Sequence, residues 1–401
     1  MTDITKIERV AKLLKRERKL RLARFNDVYM KPIEGPTNRL VTSEKKDYLI
    51  LGSYSYLGLI NHPEIKKAAK EAIDKYGTGA GGVRLLTGTL DLHKKLEKKI
   101  AEFKNTEDAV VYSSGYVTNE AILSSIFGKG DLIIIDRFAH ASIYSGCALS
   151  KAEWTRFQHN DMEDLERVLK ENREKYDNIV IAVDGVYSMD GDVAHIPEII
   201  ELAKEYNAFT MVDEAHAIGV LGETGRGVEE YFGLKKDDID IKMGTLSKTI
   251  PSVGGYIAGK KELMTFLRYS SNPFIFSAAL PPPSAAAALK AFEIIENEPE
   301  RIKQVQHNAK EFIKGVKELG FDTLKSKDTA IIPVIIGTEV KTFRFARKLE
   351  KEGIIVPPVV YPAVPRDGGR LRCCVMATHT EEDMQKILGK FEKVGKELEV
   401  I

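Results

Sequence analysis

The chain has 401 residues, enough for a large core and about two domains. Its 60 lysines and arginines balance 59 aspartates and glutamates, so no net field attracts nucleic acid or an anionic membrane. The three cysteines, Cys147, Cys373 and Cys374, are too few and too irregularly spaced for a disulfide framework or a zinc site. We therefore expect buried thiols, no metal centre and a cytoplasmic protein. No stretch reaches the roughly 18 apolar residues of a membrane-spanning helix.

The first predicted element is a basic amphipathic helix from Ile4 to about Phe25. Apolar residues recur there at helical spacing among many lysines and arginines. Such a helix can touch a membrane surface. We favour instead an N-terminal helical arm, residues 1–50, that packs on the body of the protein or on a second subunit.

Residues 51–295 are predicted to form one large domain, in which apolar runs alternate with helical patterns. The runs that predict strands are 109–112, 131–136, 178–183, 209–212 and 239–242, and those that predict helices are 93–103, 162–176 and 196–206. Continuous apolar strands are typical of parallel sheets covered on both faces by crossover helices. The sequence therefore predicts an α/β fold with a mainly parallel sheet, whose ligand site lies beyond the carboxyl ends of the strands.

Residues Gly77–Gly82 match the G-x-G-x-x-G pattern of dinucleotide-binding turns. That pattern is informative only between a strand and the helix that it opens. Here a helical pattern, Pro63–Tyr76, comes first, so Gly77 is interpreted as a helix end. We expect a loop that lines a site, without a dinucleotide.

A smaller C-terminal domain is predicted from residue 296 to residue 401. It follows an alanine-rich helix that begins at Pro281–Pro283. Apolar runs at 330–336 and 353–360 predict a small sheet, backed by helices at 342–351 and 381–398.

Lys248 is the strongest candidate for chemistry. Small hydroxyl residues and glycines surround it in the segment Met243–Gly259, as an amine requires if it is to bind a bulky phosphorylated ring. Upstream, an apolar strand ends at Asp213, and His216 follows. A lysine Schiff base with an acidic partner for a pyridinium nitrogen is typical of pyridoxal phosphate (PLP) chemistry. The alternative, a helicase acidic box at Asp213–His216, requires a G-x-x-x-x-G-K-[ST] loop that the chain lacks.

The segment Ser113–Asn119 follows a predicted strand and opens a helix. The free amides and the dipole of a helix N-terminus attract a phosphate, although Ser113 or Ser114 can also be a simple N-cap. Because Thr245 and Ser247 are predicted at the same sheet edge, we favour phosphate binding.

Two histidines and two arginines are further candidates for contacts with a ligand. His140, just past a strand end, either stacks on a planar ring or is a buried structural residue, while His159 lacks that placement and is interpreted as structural. Arg370 and Arg372 alternate along a short predicted strand and should point to opposite faces. One of them, facing inward, would grip a carboxylate with two hydrogen bonds.

Together, these motifs resemble the α-oxoamine synthase family of fold-type I PLP enzymes, from Tyr54 to His379. The matching positions are Thr245–Lys248, Asp213–His216, Gly115–Tyr116, His140–Ser142 and Arg372. Members of this family condense an amino acid with an acyl-CoA and release carbon dioxide. The resemblance implies PLP as cofactor, those two substrates, no nucleic acid, and a homodimer with shared sites.

The resemblance also implies the roles of the residues around the cofactor ring. Lys248 forms the Schiff base and, once released, acts as the base that removes the Cα proton. Asp213 pairs with the pyridinium nitrogen, and His216 lies near the phenolic oxygen. His140 stacks on the ring face.

Other matched positions imply contacts with the phosphate and the substrate. Gly115 and Tyr116 flank the ring and the phosphate, Thr245 and Ser247 bind the phosphate, and Ser277 reaches it from the second subunit. Arg372, with Arg370 as the alternative, takes the amino-acid carboxylate. Ser55 stands where most relatives have an asparagine that helps to hold substrate or cofactor.

Within the family, the segments His140–Cys147, Asp184–Met189 and Pro362–Pro365, with Ser247 before the lysine, look most like serine palmitoyltransferase. This implies condensation of serine with a long-chain acyl-CoA such as palmitoyl-CoA. Glycine C-acetyltransferase and 8-amino-7-oxononanoate synthase are the alternatives, and a class I or II aminotransferase is a more distant one. A catalytically silent partner subunit would typically lack Lys248.

Overall fold

The N-terminal helix is shorter than its apolar pattern. The structure, a computed structural model, describes residues 3–22, 25 and 28–401. Helix α1 spans Glu8–Leu22 after a 3-10 turn at Ile4–Lys6, and part of the predicted continuation to Phe25 lies outside the described residues. In the part of the chain that the structure describes, no helix combines the length and the apolarity needed to cross a membrane.

Helix α1 contacts the body of the protein through Arg16. The Arg16 guanidinium donates to Glu339 Oε1 at 3.0 Å and to the carbonyl of Tyr361 at 2.6 Å. None of the α1 residues is fully buried. An antiparallel hairpin follows, formed by β1 (Leu40–Ser43) and β2 (Lys46–Ile50).

A seven-stranded sheet forms the centre of the structure. Its strands are β3 (Asp108–Tyr112), β4 (Asp131–Asp136), β5 (Glu153–Phe157), β6 (Asn178–Asp184), β7 (Phe209–Asp213), β8 (Ile241–Ser247) and β9 (Pro251–Gly259). They lie in the order β3-β9-β8-β7-β6-β4-β5, and only β9 pairs antiparallel with its two neighbours. The predicted α/β fold with a mainly parallel sheet is confirmed.

Helices cover both faces of this sheet. They are α2 (Pro63–Tyr76), α3 (Asp91–Phe103), α4 (Gly115–Ile126), α5 (Ala141–Leu149), α6 (Met162–Asn172), α7 (Ile196–Glu205), α8 (Val228–Phe232), α9 (Lys261–Ser270), α10 (Asn272–Ile275) and α11 (Pro282–Asn297). Along β4, Leu132 and Ile134 pack with α3, α6, α7 and α11, whereas Ile133 and Ile135 pack with α4, α5 and α9. This alternation explains why the strands are apolar at every position.

The C-terminal part contains α12 (Glu300–Glu318), β10 (Ile331–Gly337), α13 (Glu339–Lys351), β11 (Ile354–Ile355), β12 (Pro358–Val359), β13 (Gly369–Cys374) and α14 (Glu381–Glu397). Strands β10, β13 and β12 form one small antiparallel sheet. Strand β11 instead pairs parallel with β2, so the end of the predicted arm shares a sheet with the C-terminal part. The proposed boundaries at residues 50 and 296 stay predictions.

Two strand predictions need correction, and two strands of the central sheet were not predicted. The apolar run 353–360 is two short strands in different sheets, because prolines at 357 and 358 interrupt it. Strand β8 begins two residues later than predicted and continues to Ser247, which places Thr245 in the sheet. Strands β5 and β9 were not predicted, since polar residues in β5 and glycines in β9 break the apolar pattern.

Candidate active site

The site is a cavity of about 220 Å³ beyond the carboxyl ends of β6, β7 and β8. Its walls are formed by Ser114, Gly115, Tyr116, Asn119, His140, Ser142, Asp184, Val186, Asp213, Ala215, His216, Met243, Thr245, Ser247 and Lys248. Eight of the predicted site residues therefore meet in one place. The position agrees with the expectation for an open parallel sheet.

Lys248 lies just after β8, in the turn to β9, at one end of a hydrogen-bonded chain. Its Nζ is 2.9 Å from Nε2 of His216, and the Nδ1 of the same imidazole is 2.7 Å from the Tyr56 hydroxyl. Burial lowers the pKa of Lys248 to about 8, although Asp213 opposes this effect. Burial also holds the pKa of His216 well below its usual value. The amine thus approaches neutrality near physiological pH beside an uncharged imidazole.

Asp213 ends β7 with its carboxylate held on both oxygens. Oδ2 accepts from Asn119 Nδ2 at 2.7 Å, and Oδ1 accepts from the Ala215 amide at 2.9 Å. Asp184, one strand away, accepts from the His140 amide at 3.1 Å. Burial, and then the charge of Asp213, hold the pKa of Asp184 well above its usual range. The surroundings of Asp184 therefore favour its neutral form.

His140 is the N-cap of α5 and lines the cavity. Its Nδ1 is 2.7 Å from the Ser142 hydroxyl and accepts from the Ser142 amide at 3.3 Å. The Tyr116 ring meets the imidazole edge-on, at 6.2 Å between ring centroids. Burial lowers the pKa of His140, so the ring is neutral at the pH where Lys248 begins to lose its proton.

A polar corner lies where the first turn of α4 meets β8. The Thr245 hydroxyl is 2.9 Å from that of Ser247, and a Cβ added to Gly115 would come within 2.7 Å of Thr245 Oγ1. Glycine at 115 is therefore what lets the helix terminus approach the strand. Ser114 caps α4 by accepting from the Val117 amide at 3.2 Å, so the simple N-cap role is also present.

The two arginines of β13 are both buried, and both contact the loop of residues 188–190. The expectation that they point to opposite faces was wrong, because residues two apart in a strand lie on the same face. Arg370 donates hydrogen bonds to Asp190 (2.8 Å) and to the carbonyls of Met189 and Gly368. Arg372 donates to the Ser188 carbonyl at 2.5 Å, and its guanidinium lies 4.8 Å from the centre of the Tyr54 ring. Of the two arginines, Arg372 is the one whose charge lowers the pKa of both Lys248 and His216.

Three predicted site residues, Arg372, Ser55 and Ser277, are not among those that line the cavity. The Ser55 hydroxyl accepts from the Ile60 amide at 3.3 Å, so it fixes a turn. Ser277 is partly exposed beside Ala278, which forms a β-bridge with Val83 in the loop after Gly77–Gly82. Its role in a second subunit, and the homodimer itself, stay predictions.

Sequence reasoning missed Tyr56, Asn119 and Asp184. Asp184 directly ends a predicted strand, and that position could have marked it. Asn119 and Tyr56 contact residues 94 and 160 positions away in the chain, and no local pattern reveals such contacts.

Comparison with known proteins establishes the family. The chain matches the family described as aminotransferase class I and II over residues 46–391. It is 49% identical over 369 residues to 8-amino-7-oxononanoate synthase of Thermoanaerobacter pseudethanolicus, covering 92% of this chain and 93% of the relative. The chain belongs to the α-oxoamine synthases of the fold-type I PLP enzymes.

Two further similarities bear on which α-oxoamine synthase the chain resembles most. The chain is 47% identical over 369 residues to 8-amino-7-oxononanoate synthase of Treponema denticola, covering 92% of this chain and 93% of the relative. A solved variant of serine palmitoyltransferase from S. paucimobilis, with a bound PLP–myriocin aldimine, is 33% identical with a TM-score of 0.95 over 100% of both chains. The predicted family, α-oxoamine synthase activity and PLP cofactor are confirmed. The preference for serine palmitoyltransferase is not, because the more similar sequences carry the alternative name.

Proposed function

We propose that this α-oxoamine synthase makes 8-amino-7-oxononanoate. The product name of the relatives defines the substrates, because carbon dioxide leaves in the condensation. Carbons 8 and 9, an amino-bearing carbon with its methyl group, correspond to alanine after loss of its carboxylate. Carbons 1 to 7 correspond to a seven-carbon dicarboxylic acyl thioester. The observation that carries this choice is the similarity to two synthases of that name over 92% of the chain.

The polar corner fits the phosphate of PLP. The hydroxyls of Thr245 and Ser247 lie beside the first turn of α4, where helix amides and the dipole favour an anion. The close approach that Gly115 permits puts both sets of donors on one side of the cavity. We assign Gly115, Tyr116, Thr245 and Ser247 to cofactor binding.

The opposite side of the cavity fits the ring. Asn119 and the Ala215 amide fix the Asp213 carboxylate, which would pair with the pyridine nitrogen, and His140 would stack on the ring. His216 would lie near the phenolic oxygen. When bound, PLP supplies a sink for the electrons left on Cα when its proton is removed.

Lys248 is assigned two tasks by its environment. Its amine would hold the cofactor in a Schiff base and, once displaced by the amino acid, would take the Cα proton. A base works best with a pKa near the working pH, and burial lowers the pKa of Lys248 to about 8. The bond to His216, which Tyr56 holds from its other side, fixes the direction of the amine.

Arg372 is assigned to the carboxylate of the amino acid, and this can be tested against its neighbour. We expect Arg372→Lys to raise KM for the amino acid by about tenfold to a hundredfold, the value of one or two charged hydrogen bonds. Arg370→Lys is the matched control, because Arg370 is already paired with Asp190. Steady-state thiol release measures both. A larger rise in KM for the Arg370 variant would reverse the assignment.

The structural likeness to serine palmitoyltransferase does not favour serine and palmitoyl-CoA. A TM-score of 0.95 describes the backbone, and one fold serves several substrates. Acyl specificity depends on side chains along the acyl path. Sequence identity reports those side chains more directly, and it is 49% with the 8-amino-7-oxononanoate synthase against 33% with the serine palmitoyltransferase.

The proposal is tested by a panel of amino acids and acyl thioesters. Alanine, serine and glycine are each combined with heptanedioyl-, acetyl- and palmitoyl-CoA, and released thiol is measured. We expect alanine with heptanedioyl-CoA to give the highest kcat/KM, with serine lower by about tenfold to a hundredfold, the limit for rejecting one added hydroxyl. Mass spectrometry should identify the nine-carbon aminoketo acid.

Two results of the panel would contradict the proposal. A preference for serine with palmitoyl-CoA would restore the serine palmitoyltransferase hypothesis. Transfer of the amino group to a 2-oxo acid, with no thiol released, would indicate an aminotransferase.

A further inference from the structure

Behind the cavity wall, His159 lies between two buried carboxylates. Its Nδ1 is 3.0 Å and 3.2 Å from the two oxygens of Asp136, and its Nε2 is 3.0 Å from Asp192 Oδ2. Ionised carboxylates only accept hydrogen bonds, and a neutral imidazole has a single N–H. Both bonds can form together only when His159 carries two protons and a positive charge.

The surroundings hold the imidazole in place and keep it charged. Its ring packs against Phe138, and the Tyr187 ring meets it edge-on, each at 4.5 Å between centroids. Burial acts to lower the pKa of His159, but Asp136 and Asp192 override this and raise it to about 9. The Tyr187 phenol, which also packs against the imidazole, is neutral, because burial raises its pKa well above the usual value.

Asp136 belongs to the turn that carries His140. It ends β4, and its Oδ1 accepts from the Phe138 amide at 2.7 Å. Its carbonyl accepts from the Ala139 amide at 3.0 Å. The carboxylate held by His159 therefore shapes the backbone that delivers His140 to the cavity.

Asp192 belongs to the loop that holds Arg372. The Tyr187 amide donates to the Asp192 carbonyl at 3.0 Å and closes this loop. Inside it, the Ser188 carbonyl accepts from Arg372 Nε at 2.5 Å, and Asp190 binds Arg370. The loop therefore sets the position of the arginine assigned to the substrate carboxylate.

We propose that His159 is a positioning residue whose positive charge ties the His140 turn to the loop that holds Arg372. This inference rests on the proposed function, because it fixes the spacing between a group that stacks on the cofactor and the group that binds the amino-acid carboxylate. Without the charge, one of the two carboxylates loses its hydrogen bond to His159. Asn160 still donates to Asp136 at 2.9 Å through its backbone amide and to Asp192 at 2.6 Å through its side chain. The loop is then held less tightly, and the position of Arg372 with it.

The test compares His159→Gln with His307→Gln, an exposed histidine on α12, in the full-length holoenzyme. Equilibrium binding of L-alanine is measured by the change in cofactor absorbance from pH 7.5 to 10. We expect His159→Gln to raise Kd about tenfold at pH 7.5, within the range of coupled neighbours. The ratio to wild type should fall toward one by pH 10, as the wild type itself loses the proton. The His307 variant should match the wild type throughout.

Thermal unfolding gives a second readout that does not depend on substrate. The pKa of His159 is higher in the folded protein than the ordinary value of about 6.5. Its charge therefore stabilises the fold fully below that value, and the contribution is lost as pH rises through about 9. The Tm of His159→Gln should lie roughly 2–4 °C below the wild type at pH 6.5 and meet it near pH 10.

The outcomes separate this inference from the proposed function. An equal Kd for wild type and variant, or a Tm difference that does not change with pH, would contradict the proposal that the charge of His159 joins the two segments. If alanine does not bind the wild type at all, the proposed substrate is wrong. The unfolding data alone then test whether the charge of His159 joins the two segments. Should His159→Gln not fold, Asp192→Asn, which keeps an acceptor oxygen but removes the negative charge on the loop side, should weaken alanine binding in the same direction.

Discussion

Replacing Lys248 with alanine is expected to give a folded protein whose cofactor is no longer covalently bound. Lys248 provides the one amine among the described residues that line the cavity, and the PLP aldehyde forms a Schiff base only with an amine. The variant should lose the yellow absorbance of the attached cofactor. After borohydride reduction and unfolding, mass spectrometry should find the cofactor on the Lys248 peptide of the wild type and on no peptide of the variant.

The control is Lys260→Ala, which changes an exposed lysine at the end of β9. It should keep both the absorbance and the reducible adduct. A Lys248→Ala protein that still carried such an adduct would place the attachment site on another lysine.

The Lys248 substitution should not harm the fold. Burial lowers the pKa of this amine from 10.5 to about 8, so the charged form is held at a cost of roughly 3 kcal/mol at neutral pH. Because the folded pKa is below the unfolded one, stability rises as pH increases between these two values. Alanine removes that cost, so we expect the variant to stay folded and the loss of the adduct to reflect the missing amine.

The strands that build the site could be predicted because each is covered by helices on both faces. Apolar side chains then occupy every inner position, as in β4 and β6, and the pattern stands out from the flanking helices. Strand β9 escaped prediction for the opposite reason. Its glycines let α4 and β3 approach closely: a Cβ at Gly255 would come within 2.7 Å of the Gly115 Cα. Strand β9 forms because of its tertiary packing, and its own composition does not predict a strand.

The site was predictable where chemistry leaves a local motif. Lys248 among glycines and hydroxyls, and Asp213 at a strand end, could be placed at the same sheet edge by topology alone. The partners that tune them could not, because Asn119 and Tyr56 are joined to them only by the folded chain. The choice between Arg370 and Arg372 as the carboxylate-binding residue was likewise open until the structure paired Arg370 with Asp190.

His159 shows a different limit of sequence reasoning. It was interpreted as structural because no predicted strand ends before it, whereas strand β5, which was not predicted, ends at Phe157. Its importance lies in which two segments its charge joins, and that depends on contacts 23 and 33 residues away. A residue outside the cavity can therefore matter for the cavity without any motif of its own.

Replacing Asp213 with asparagine is expected to leave PLP bound while slowing the exchange of the alanine Cα proton by about 10²–10⁴-fold. That range is typical for the loss of one electrostatic or acid–base partner. A carboxylate keeps the pyridine nitrogen protonated and so favours removal of the Cα proton, whereas a neutral amide does not. Exchange in deuterium oxide, followed by proton NMR of alanine, measures this step without the acyl thioester.

The fold should tolerate this change because Asn119 can adapt. Its Oδ1 has no hydrogen-bond partner, so a rotation of the amide would offer that oxygen to the new side chain at 213. Asp184→Asn is the matched comparison: burial and the charge of Asp213 hold the pKa of the Asp184 carboxyl well above its usual range, which favours the neutral form that an amide imitates. It should slow exchange far less than Asp213→Asn. Equal exchange rates for Asp213→Asn and the wild type would remove Asp213 from its assigned role, since an acid that can be neutralised without effect is not supporting the electron sink.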